Sequence, residues 1–371
     1  MNLLWIPHQT WLNRGGITRD KHLIEYLKEK HEIHLIQHTQ PYENNIPSFL
    51  KPKNLIESFR EWDNYYDGLY HHHIPHIYFT RVKPFLKINN RLFKRKIREI
   101  IRDYKIEVVL CGPSNYLHGY PPFDISIPII FDYLDFLHDF SDPNKENKKI
   151  LNNYLENAEK ILCISKVLLE DLEPRFRKKA SYLPNGVDLE YYNSYDFNKK
   201  SKTKYISLIG LNISESLFYL DIFPKIKEKV KNIKMVLVGG GIRYPQINRY
   251  IKKNKNKSDF ILTGFIPYEK IRKYFYLTDV GLNPTLKNRY YDSACPLKVF
   301  EYTAAKKPIV STNLKELNRL DFPNVYLAKP TTQDFLEKVI DALNYEGSYP
   351  NLKEFDWKNL SQRLEKILIN L

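Results

Sequence analysis

The sequence is poor in cysteine and contains no long hydrophobic run. Its three cysteines, Cys111, Cys163 and Cys295, are far apart and odd in number, which fits neither a disulfide framework nor a zinc cluster. No stretch approaches the roughly 18 apolar residues of a membrane-spanning helix. The first residues lack the basic region and the apolar run of a signal peptide. These absences predict a soluble, reduced, cytoplasmic protein.

Acidic side chains are too few to balance the basic ones. The 371 residues include 58 Lys and Arg but only 43 Asp and Glu, so the formal net charge is +15. Aromatic residues make up 14% of the chain, whereas a disordered protein would be poor in them. The composition therefore indicates a folded protein with an anionic partner, and nucleic acid, an anionic membrane and phosphorylated substrates all fit.

Short β-rich segments alternate with longer amphipathic segments along the chain. A strand at 3–7, a glycine loop, a helical segment and a strand at 32–36 follow one another, an order typical of a parallel α/β sheet. About five strands are predicted in the first half, and the pattern starts again with a strand at 205–209. Residues 41–84, rich in Tyr, His and Pro, are assigned no elements. The pattern predicts two doubly wound α/β domains in series.

The two predicted domains join near Pro184-Asn185-Gly186. Residues 1–184 form the first Rossmann-like domain and residues 185–354 the second, while a helix within 355–371 is expected to pack back on the first. Parallel sheets bind ligands at the carboxyl ends of their strands, next to helix N-termini. The predicted active site is therefore a cleft between the two domains.

Three motifs in the second half are specific in order and spacing. They read TGFIP at 263–267, TDVGLNPT at 278–285 and CPLKVFEYTAAKKPIV at 295–310. Together they resemble the nucleotide-sugar-binding domain of GT-B-fold glycosyltransferases, namely the group 1 and group 4-like enzymes that build surface polysaccharides and glycolipids. Further segments agree in order: the Gly15-Gly16 loop, Ile164-Ser165, PNGVD at 184–188, YISLIG at 205–210 and the helix at Trp357.

This resemblance implies a GT-B fold, in which two Rossmann-like domains face each other across a cleft. The first domain takes the acceptor and the second takes the donor. The implied enzyme is a glycosyltransferase that moves a sugar from a nucleotide-diphosphate sugar to a hydroxyl group of a glycan, glycolipid or lipid-linked acceptor. Lysine and helix N–H groups can neutralise the leaving diphosphate, so neither a metal nor a cofactor is expected.

The resemblance also carries donor-binding roles onto matching residues of this chain. Glu301 takes the ribose hydroxyls, for which a carboxylate is a suitable acceptor, and Lys298, one turn earlier, takes the diphosphate. The main chain at Phe265 and Ile266 takes the base edge, although both side chains also fit a core position. The other candidates for the donor site are Gly15, Gly16, Gly210, Pro284 and Ser293.

Two departures from the family pattern concern this donor site. Many relatives carry a second glutamate eight positions before the first, where this chain has Ser293 beside an out-of-register Asp292. Sugar recognition and the stereochemical outcome, retaining or inverting, therefore stay open. Many relatives also place Arg and Lys after the first strand of the second domain. This chain has neither there, which leaves the diphosphate to Lys298 with help from Lys287 or Arg289.

Candidate catalytic bases follow strands of the first domain. Asp132 and Asp135 come after a strand predicted at 127–131, and His118 follows one predicted at 106–110. Relatives use an Asp or a His from these regions, where a side chain can deprotonate the acceptor hydroxyl. Asp132 and Asp135 are favoured as the base. A helix N-cap for Asp135 and a plain loop position for His118 are the structural alternatives.

Two further segments have an unusual composition. Between 81 and 105 there are ten Lys and Arg against two acidic residues, in a predicted amphipathic helix near Phe85, Leu86 and Phe93. Such a helix either lies on an anionic membrane or is a crossover helix with solvated charges. The histidines at 71–73, with His76, look like metal ligands, but consecutive residues of a strand point to opposite faces. No metal site is expected there.

Three other functions fit parts of the sequence. A GT-B-fold sugar-nucleotide epimerase would share the fold but would have no use for the basic helix. A nucleic-acid-binding protein is suggested by charge alone and lacks a binding motif. An NAD-dependent enzyme needs G-x-G-x-x-G after its first strand, which Gly239-Gly240-Gly241 does not provide. The expected partners are therefore a nucleotide-sugar donor, a glycan or lipid-linked acceptor and an anionic surface at the inner face of the cell membrane, and not nucleic acid.

Overall fold

The protein is described by a computed structural model. It covers residues 1–7, 19–37, 42–43, 46–47, 52–77, 83–112, 124–134, 145–195, 202–211, 217–241 and 243–371. The chain forms two compact units, one of residues 1–184 with 360–371 and one of residues 185–359. Four predicted site residues lie outside the described residues: Gly15, Gly16, His118 and Asp135.

The first unit alternates strands and helices. Its strands are β1 (Asn2–Ile6), β2 (Glu32–Gln37), β3 (Tyr42–Glu43), β4 (Ile46–Pro47), β5 (Trp62–Tyr66), β6 (Leu69–His73), β7 (Val108–Cys111), β8 (Ile129–Tyr133), β9 (Lys160–Cys163) and β10 (Ala180–Tyr182). Its helices are α1 (Arg19–Leu27), α2 (Pro52–Ser58), α3 (Lys83–Asp103), α4 (Lys145–Asn157), α5 (Lys166–Asp171) and α6 (Pro174–Arg177).

Eight of these strands form one sheet in the order β10-β9-β8-β7-β1-β2-β6-β5. Neighbouring strands are parallel except for β5, which is antiparallel to β6. The central strands read as nearly continuous apolar runs because helices cover both faces of a parallel sheet. Leu4, Ile33, Val109, Ile130 and Ile161 are all fully buried there. The two short strands β3 and β4 pair with each other.

The second unit has the same alternation. Its strands are β11 (Lys204–Ile209), β12 (Ile233–Val238), β13 (Phe260–Leu262), β14 (Val280–Asn283), β15 (Ile309–Thr312) and β16 (Val325–Ala328). Its helices are α7 (Leu189–Asn193), α8 (Phe218–Lys229), α9 (Tyr244–Lys253), α10 (Tyr268–Leu277), α11 (Arg289–Asp292), α12 (Leu297–Ala304), α13 (Lys315–Leu320) and α14 (Thr332–Ala342). Helix α15 (Trp357–Ile369) begins in this unit and ends in the first.

Six parallel strands form the second sheet, in the order β13-β12-β11-β14-β15-β16. The strand order reverses direction between β11 and β14, which is where parallel sheets of this kind bind their ligands. The predicted α/β class, with two doubly wound and mainly parallel sheets, is thus confirmed. Within the described ranges, no helix is long and apolar enough to cross a membrane.

A hairpin of β5 and β6 occupies part of the segment for which no elements were predicted. Asp67 and Gly68 connect its strands with φ values of 55° and 74°. Two successive residues with positive φ are what a two-residue type I′ hairpin turn requires, and Asp-Gly is a preferred pair for it. Strand β6 pairs with β2 and so extends the sheet beyond the five or so strands expected in the first half.

Strand β8 corrects another expectation. It runs from Ile129 to Tyr133, two residues later than the strand predicted at 127–131. Asp132 therefore lies inside the strand with 1% of its surface exposed, and does not follow the strand as predicted. A polar residue can stay in a buried strand when a partner satisfies its charge, and Arg19 is that partner.

Candidate active site

Glycine-rich loops follow three neighbouring strands at the carboxyl edge of the second sheet. Gly210 comes after β11, Gly239 after β12 and Gly264 after β13. The Gly210 N–H donates to the Val238 carbonyl at 2.9 Å, and the Gly239 N–H donates to the Gly264 carbonyl at 3.0 Å. These main-chain bonds hold the three loops side by side, so this edge of the sheet presents mostly backbone.

The loop Gly239–Gly241 packs tightly against the residue that follows Gly210. A Cβ atom at Gly241 would lie 2.9 Å from the carbonyl oxygen of Leu211, and the φ of Gly241 is +123°. Backbone atoms cannot move aside as a flexible side chain can, so only glycine fits at this position. A side chain at Gly210, in contrast, would project into open space. Gly210 therefore borders an opening in front of the edge.

Helix α12 begins close to this edge and carries two of the predicted donor residues. Its buried face includes Val299, Phe300 and Tyr302, and the Tyr302 hydroxyl lies 2.8 Å from the Ser207 hydroxyl of β11. Lys298 and Glu301 are half-buried. The Lys298 ammonium donates to the Gly210 carbonyl at 3.3 Å. The structure thus brings Gly210, Lys298 and Glu301 together.

The N-terminus of α12 is suited to an anion. Pro296 stands at its cap position, and within the described part of the chain no side chain caps the helix. The first N–H groups of a helix carry partial positive charge and have no partner within the helix. Together with the Lys298 ammonium one residue into the helix, they can bind a phosphate group.

Glu301 has an environment that perturbs its acidity. Burial raises the pKa of its carboxyl from 4.5 to about 7, although Lys298 and the Tyr192 hydroxyl both act in the opposite direction. The Tyr192 hydroxyl donates to Oε1 at 3.4 Å. Because few polar groups contact this carboxyl, its oxygens can accept hydrogen bonds from a ligand. The two hydroxyl groups of a vicinal diol can donate two such bonds.

Tyr192 is a site residue that the sequence interpretation missed. It lies on α7, directly after the PNGVD segment, and its side chain is fully buried. Helix α7 is held against α10, since the Tyr276 hydroxyl donates to the Tyr192 carbonyl at 2.6 Å and the Tyr191 hydroxyl donates to the Tyr268 carbonyl at 2.7 Å. Asp188 caps α7 by accepting from the Tyr191 N–H at 2.8 Å. This cap was the available sequence signal for the helix.

Asn185 connects the PNGVD segment to the residues before α12. Its amide nitrogen donates to the Cys295 carbonyl at 2.6 Å. Its amide oxygen is buried and has no partner among the residues that the structure describes. The Asn185 side chain therefore holds the segment before α12 in place through its amide nitrogen. Leaving its buried amide oxygen without a hydrogen bond lowers stability.

Phe265 and Ile266 follow Gly264 at the same edge. The Phe265 side chain is 61% exposed, so it is not part of the core, and Ile266 is half-buried. A Cβ atom at Gly240 would lie 3.5 Å from the Phe265 Cβ, which places Phe265 next to the glycine loop. An exposed aromatic ring beside main-chain groups offers a surface on which a planar base can rest.

The segment after β14 holds the residues that depart from the family pattern. Pro284 is buried, and the buried Ser293 hydroxyl donates to the Tyr290 carbonyl at 2.9 Å. Asp292 is ion-paired with Lys287 and also accepts from the Lys315 N–H at 3.0 Å. The charge of Lys287 is therefore engaged by Asp292, which argues against the diphosphate role suggested for it.

In the first unit, Asp132 forms a buried ion pair with Arg19. Arg19 Nε and Nη2 donate to the two carboxylate oxygens of Asp132 at 2.9 and 3.1 Å, and the two side chains are 5% and 1% exposed. Arg19 Nη1 also donates to the Pro184 carbonyl at 2.6 Å. A bidentate pair occupies both carboxylate oxygens, so Asp132 has a structural role in this arrangement. The other candidate bases, Asp135 and His118, lie outside the described residues.

The histidines of β6 are buried in the first unit and bonded to neighbouring groups. His72 lies 2.9 Å from a ring nitrogen of His34 and 2.7 Å from the Asp63 carboxylate. His73 bonds the Arg60 carbonyl at 2.6 Å. In the described ranges, no three His, Cys, Asp or Glu side chains are grouped so that they could hold a metal ion. These histidines belong to the packing of the sheet edge.

Two doubly wound α/β units, each with a mainly parallel sheet, are the architecture of the GT-B fold. A family model described as "Glycosyl transferases group 1" matches residues 205–345, which cover the whole of this edge. Among solved structures, the chain resembles sucrose-phosphate synthase from Thermosynechococcus elongatus, with a TM-score of 0.72 and 12% identity over 100% of this chain and 98% of that one. It also resembles HepE from Anabaena in complex with UDP and glucose, with a TM-score of 0.66 and 12% identity over 100% and 99%.

Curated relatives agree with the family model. The chain is 27% identical to TuaH of Bacillus subtilis, a glycosyltransferase named for teichuronic acid biosynthesis. The match extends over 238 residues, which are 57% of this chain and 57% of the relative. It is 24% identical over 326 residues to an uncharacterized glycosyltransferase of Methanocaldococcus jannaschii, covering 82% of this chain and 86% of the relative. The family model and these relatives support the predicted resemblance to group 1 glycosyltransferases, and with it an enzyme of the glycosyltransferase class. The epimerase alternative gains no support from these relatives.

Proposed function

We propose that the protein transfers a glycosyl group from a nucleoside diphosphate sugar to a hydroxyl group of a glycan, glycolipid or lipid-linked acceptor. The observation that carries this proposal is the cluster of Lys298, Glu301 and the free start of α12 beside Gly210. It combines a cation and helix N–H groups for a diphosphate with a carboxylate for a ribose. HepE has been solved with UDP and glucose, which makes UDP sugars the first donors to test.

The donor is proposed to lie along the carboxyl edge of the second sheet. Its ribose hydroxyls donate to Glu301, and its diphosphate faces Lys298 and the N-terminus of α12. Its base lies beside Phe265, with its edge on the main chain of that loop. The cation and the helix N–H groups stabilise negative charge that grows on the leaving diphosphate, so the reaction needs no metal for this task.

The transfer step needs a base for the acceptor. The acceptor oxygen attacks the anomeric carbon, the bond from that carbon to the diphosphate oxygen breaks, and the hydroxyl proton passes to the base. We propose Asp135 or His118 for this role in preference to Asp132. Both oxygens of Asp132 are already taken by Arg19, which favours a structural role for that residue.

The acceptor is proposed to be a surface glycan or its lipid-linked precursor. The name of the Bacillus subtilis relative supports a polysaccharide. A lipid-linked acceptor would place the protein at the inner face of the cell membrane, as a peripheral protein. No cofactor is proposed beyond the donor itself.

Nucleotide binding is the first test of this function. Thermal unfolding should shift upward with at least one of UDP, GDP and ADP, and the shift should shrink in Glu301→Gln. Glu337→Gln, an exposed glutamate on α14, is the matched control and should behave as wild type. A shift with NAD and with none of the three diphosphates would refute the proposal. Hydrolysis of radiolabelled nucleotide sugars would then identify the sugar.

A further inference from the structure

Helix α2 and the residue that follows it carry an unusual patch of exposed apolar side chains. Leu55, Ile56 and Phe59 are 38%, 57% and 56% exposed, and they lie within five residues of one another. Single exposed apolar residues are normal in soluble proteins, but a contiguous group marks a surface that meets something apolar. The helix is not a loose appendage, since the His76 N–H donates to the Ser58 carbonyl at 2.8 Å and Trp62 Nε1 donates to Glu57 at 2.9 Å.

Helix α3 presents a basic face to solvent. Its exposed side chains recur every three or four residues, which places them on one side of the helix. The basic ones among them are Lys87, Arg91, Arg95, Arg98 and Arg102. The opposite side is buried and includes Phe93, which is 2% exposed. Phe93 is therefore a core residue and not, as the sequence suggested, a candidate for membrane contact.

The apolar patch and the basic face adjoin each other. Glu61, two residues after Phe59, forms ion pairs with Arg95 at 3.6 Å and with Lys96 at 2.9 Å. The same stretch of chain therefore carries the patch and contacts the middle of α3. Arg95, Arg98 and Arg102 are already paired with acidic side chains. Among the described residues, no ion pair involves Lys87 or Arg91, so these two charges are available to a partner.

We propose that α2 and α3 together dock on an anionic lipid bilayer. Leu55, Ile56 and Phe59 enter the boundary between headgroups and acyl chains, and Lys87 and Arg91 of α3 rest on headgroup phosphates. Arginine suits this role because its guanidinium binds phosphate through two hydrogen bonds. Basic faces of this kind are attracted to anionic membrane surfaces within a Debye length.

A bilayer explains both halves of the surface, whereas a polyanion explains only one. An anionic glycan or a nucleic acid would neutralise the basic face but leave Ile56 and Phe59 in water. A bilayer accepts apolar side chains and charged ones at the same interface. This inference deepens the proposed function by naming the surface that brings the enzyme to a lipid-side acceptor. It involves the first unit only, so nucleotide binding by the second unit tests it separately.

The experiment is flotation of the full chain with phosphatidylcholine vesicles that do or do not contain phosphatidylglycerol. Wild type should float only with the anionic vesicles, and less at high salt. The double variant Ile56→Ser/Phe59→Ser should lose at least about tenfold in partitioning, because each side chain forfeits part of its burial in lipid. Ile369→Ser, a 65% exposed isoleucine at the end of α15, is the matched control and should float as wild type.

A second pair of variants tests the charges. Lys87→Ala/Arg91→Ala should lose at least about tenfold in partitioning at low salt, since each basic residue near the surface contributes roughly fivefold. Lys252→Ala/Lys253→Ala, two exposed lysines of α9, is the control of equal charge. All variants should keep the wild-type melting temperature and UDP affinity.

Three results would overturn the inference. The first is a wild type that does not float at low salt, and the second is an Ile56→Ser/Phe59→Ser variant that floats as well as wild type. The third is binding of wild type to heparin but not to vesicles, which would assign the basic face to a soluble polyanion. If wild type bound none of UDP, GDP and ADP, that result would instead contradict the proposed glycosyltransferase function and leave the docking surface unaffected.

Discussion

Glu301→Gln removes the charge of the carboxylate and keeps its shape. Burial raises the pKa of Glu301 to about 7, so its ionised fraction falls from about 90% at about pH 8 to about 10% at about pH 6. We expect the ionised form to accept the ribose hydroxyls. Wild type should therefore lose about tenfold more affinity for UDP over this range than Glu301→Gln loses. The phosphate of UDP also titrates in this pH range. Because Glu301→Gln lacks the carboxyl, the pH dependence of its UDP affinity measures the contribution of that phosphate.

At about pH 8 the two proteins should differ most. Losing a charged hydrogen-bond partner costs about 1.5–3 kcal/mol, and glutamine retains one acceptor oxygen, so we expect roughly a tenfold weaker Kd for the variant. Isothermal titration with UDP and with 2′-deoxy-UDP locates the effect on the ribose. Wild type should prefer UDP, and this preference should shrink in the variant. Equal losses for both ligands would show that Glu301 does not bind the ribose.

The same substitution should change stability in the opposite direction. Since the pKa of Glu301 in the folded chain lies above its ordinary 4.5, its contribution to stability is present below about pH 4.5 and lost as the pH rises through about 7. Ionising it in the folded chain costs up to about 3 kcal/mol, and less here because the side chain keeps part of its surface in water. Glu301→Gln should thus melt at a higher temperature at about pH 8. A lower melting temperature would contradict the buried, poorly partnered environment.

Three further predictions concern other residues. Asp132→Asn should lower the free energy of unfolding by about 3–5 kcal/mol, because it leaves the Arg19 charge buried without its partner; an inactive but fully stable variant, seen by denaturant unfolding, would instead make Asp132 the catalytic base. Tyr192→Phe should raise the pKa of Glu301 further. It should also weaken UDP binding at neutral pH by about fivefold, because one hydrogen bond contributes about 1 kcal/mol. Titration calorimetry at several pH values checks this, and a pH dependence of UDP affinity equal to that of wild type would show that the hydroxyl has no such role. Burial lowers the pKa of His72 below its ordinary 6.5, so the unfolded chain binds the proton more readily than the folded chain. The β5–β6 hairpin should therefore lose amide-exchange protection as the pH falls below about 6.5. Protection that stays constant down to about pH 4 would contradict this prediction.

Elements with strong periodicity could be predicted from sequence alone. Helix α3, expected between 81 and 105, spans Lys83–Asp103, and helix α15, expected within 355–371, spans Trp357–Ile369. Their apolar faces pack on one side, so the periodicity in the sequence reflects the burial in the structure. The β5–β6 hairpin was not predicted because histidines, which hydropathy scales count as polar, fill its buried positions. The Asp67-Gly68 turn signal was nevertheless present.

The site was predictable only where a motif carried it. Gly210, Lys298 and Glu301 meet because α12 and the end of β11 are adjacent, and the motif order anticipates that adjacency. Tyr192 could not be found in this way, since its contact with Glu301 spans 109 residues and depends on how α7 packs against α10. The ion pair of Asp132 with Arg19 could not be predicted either, because the two residues are 113 positions apart. The two-residue error in the bounds of β8 also placed Asp132 after the strand and not inside it.

The glycine loop after β12 has a consequence for redesign. A Cβ atom at Gly239 or Gly241 would lie 2.9 Å from the main chain of Leu211, whereas one at Gly240 would make only ordinary contacts with Phe265. If the donor lies along this edge as proposed, its choice can be altered at Gly240, at the exposed Phe265 or at Ser293, while Gly239 and Gly241 have to stay glycine. A mutant library confined to these three positions would explore donor preference while the two tightly packed glycines hold the shape of the loop.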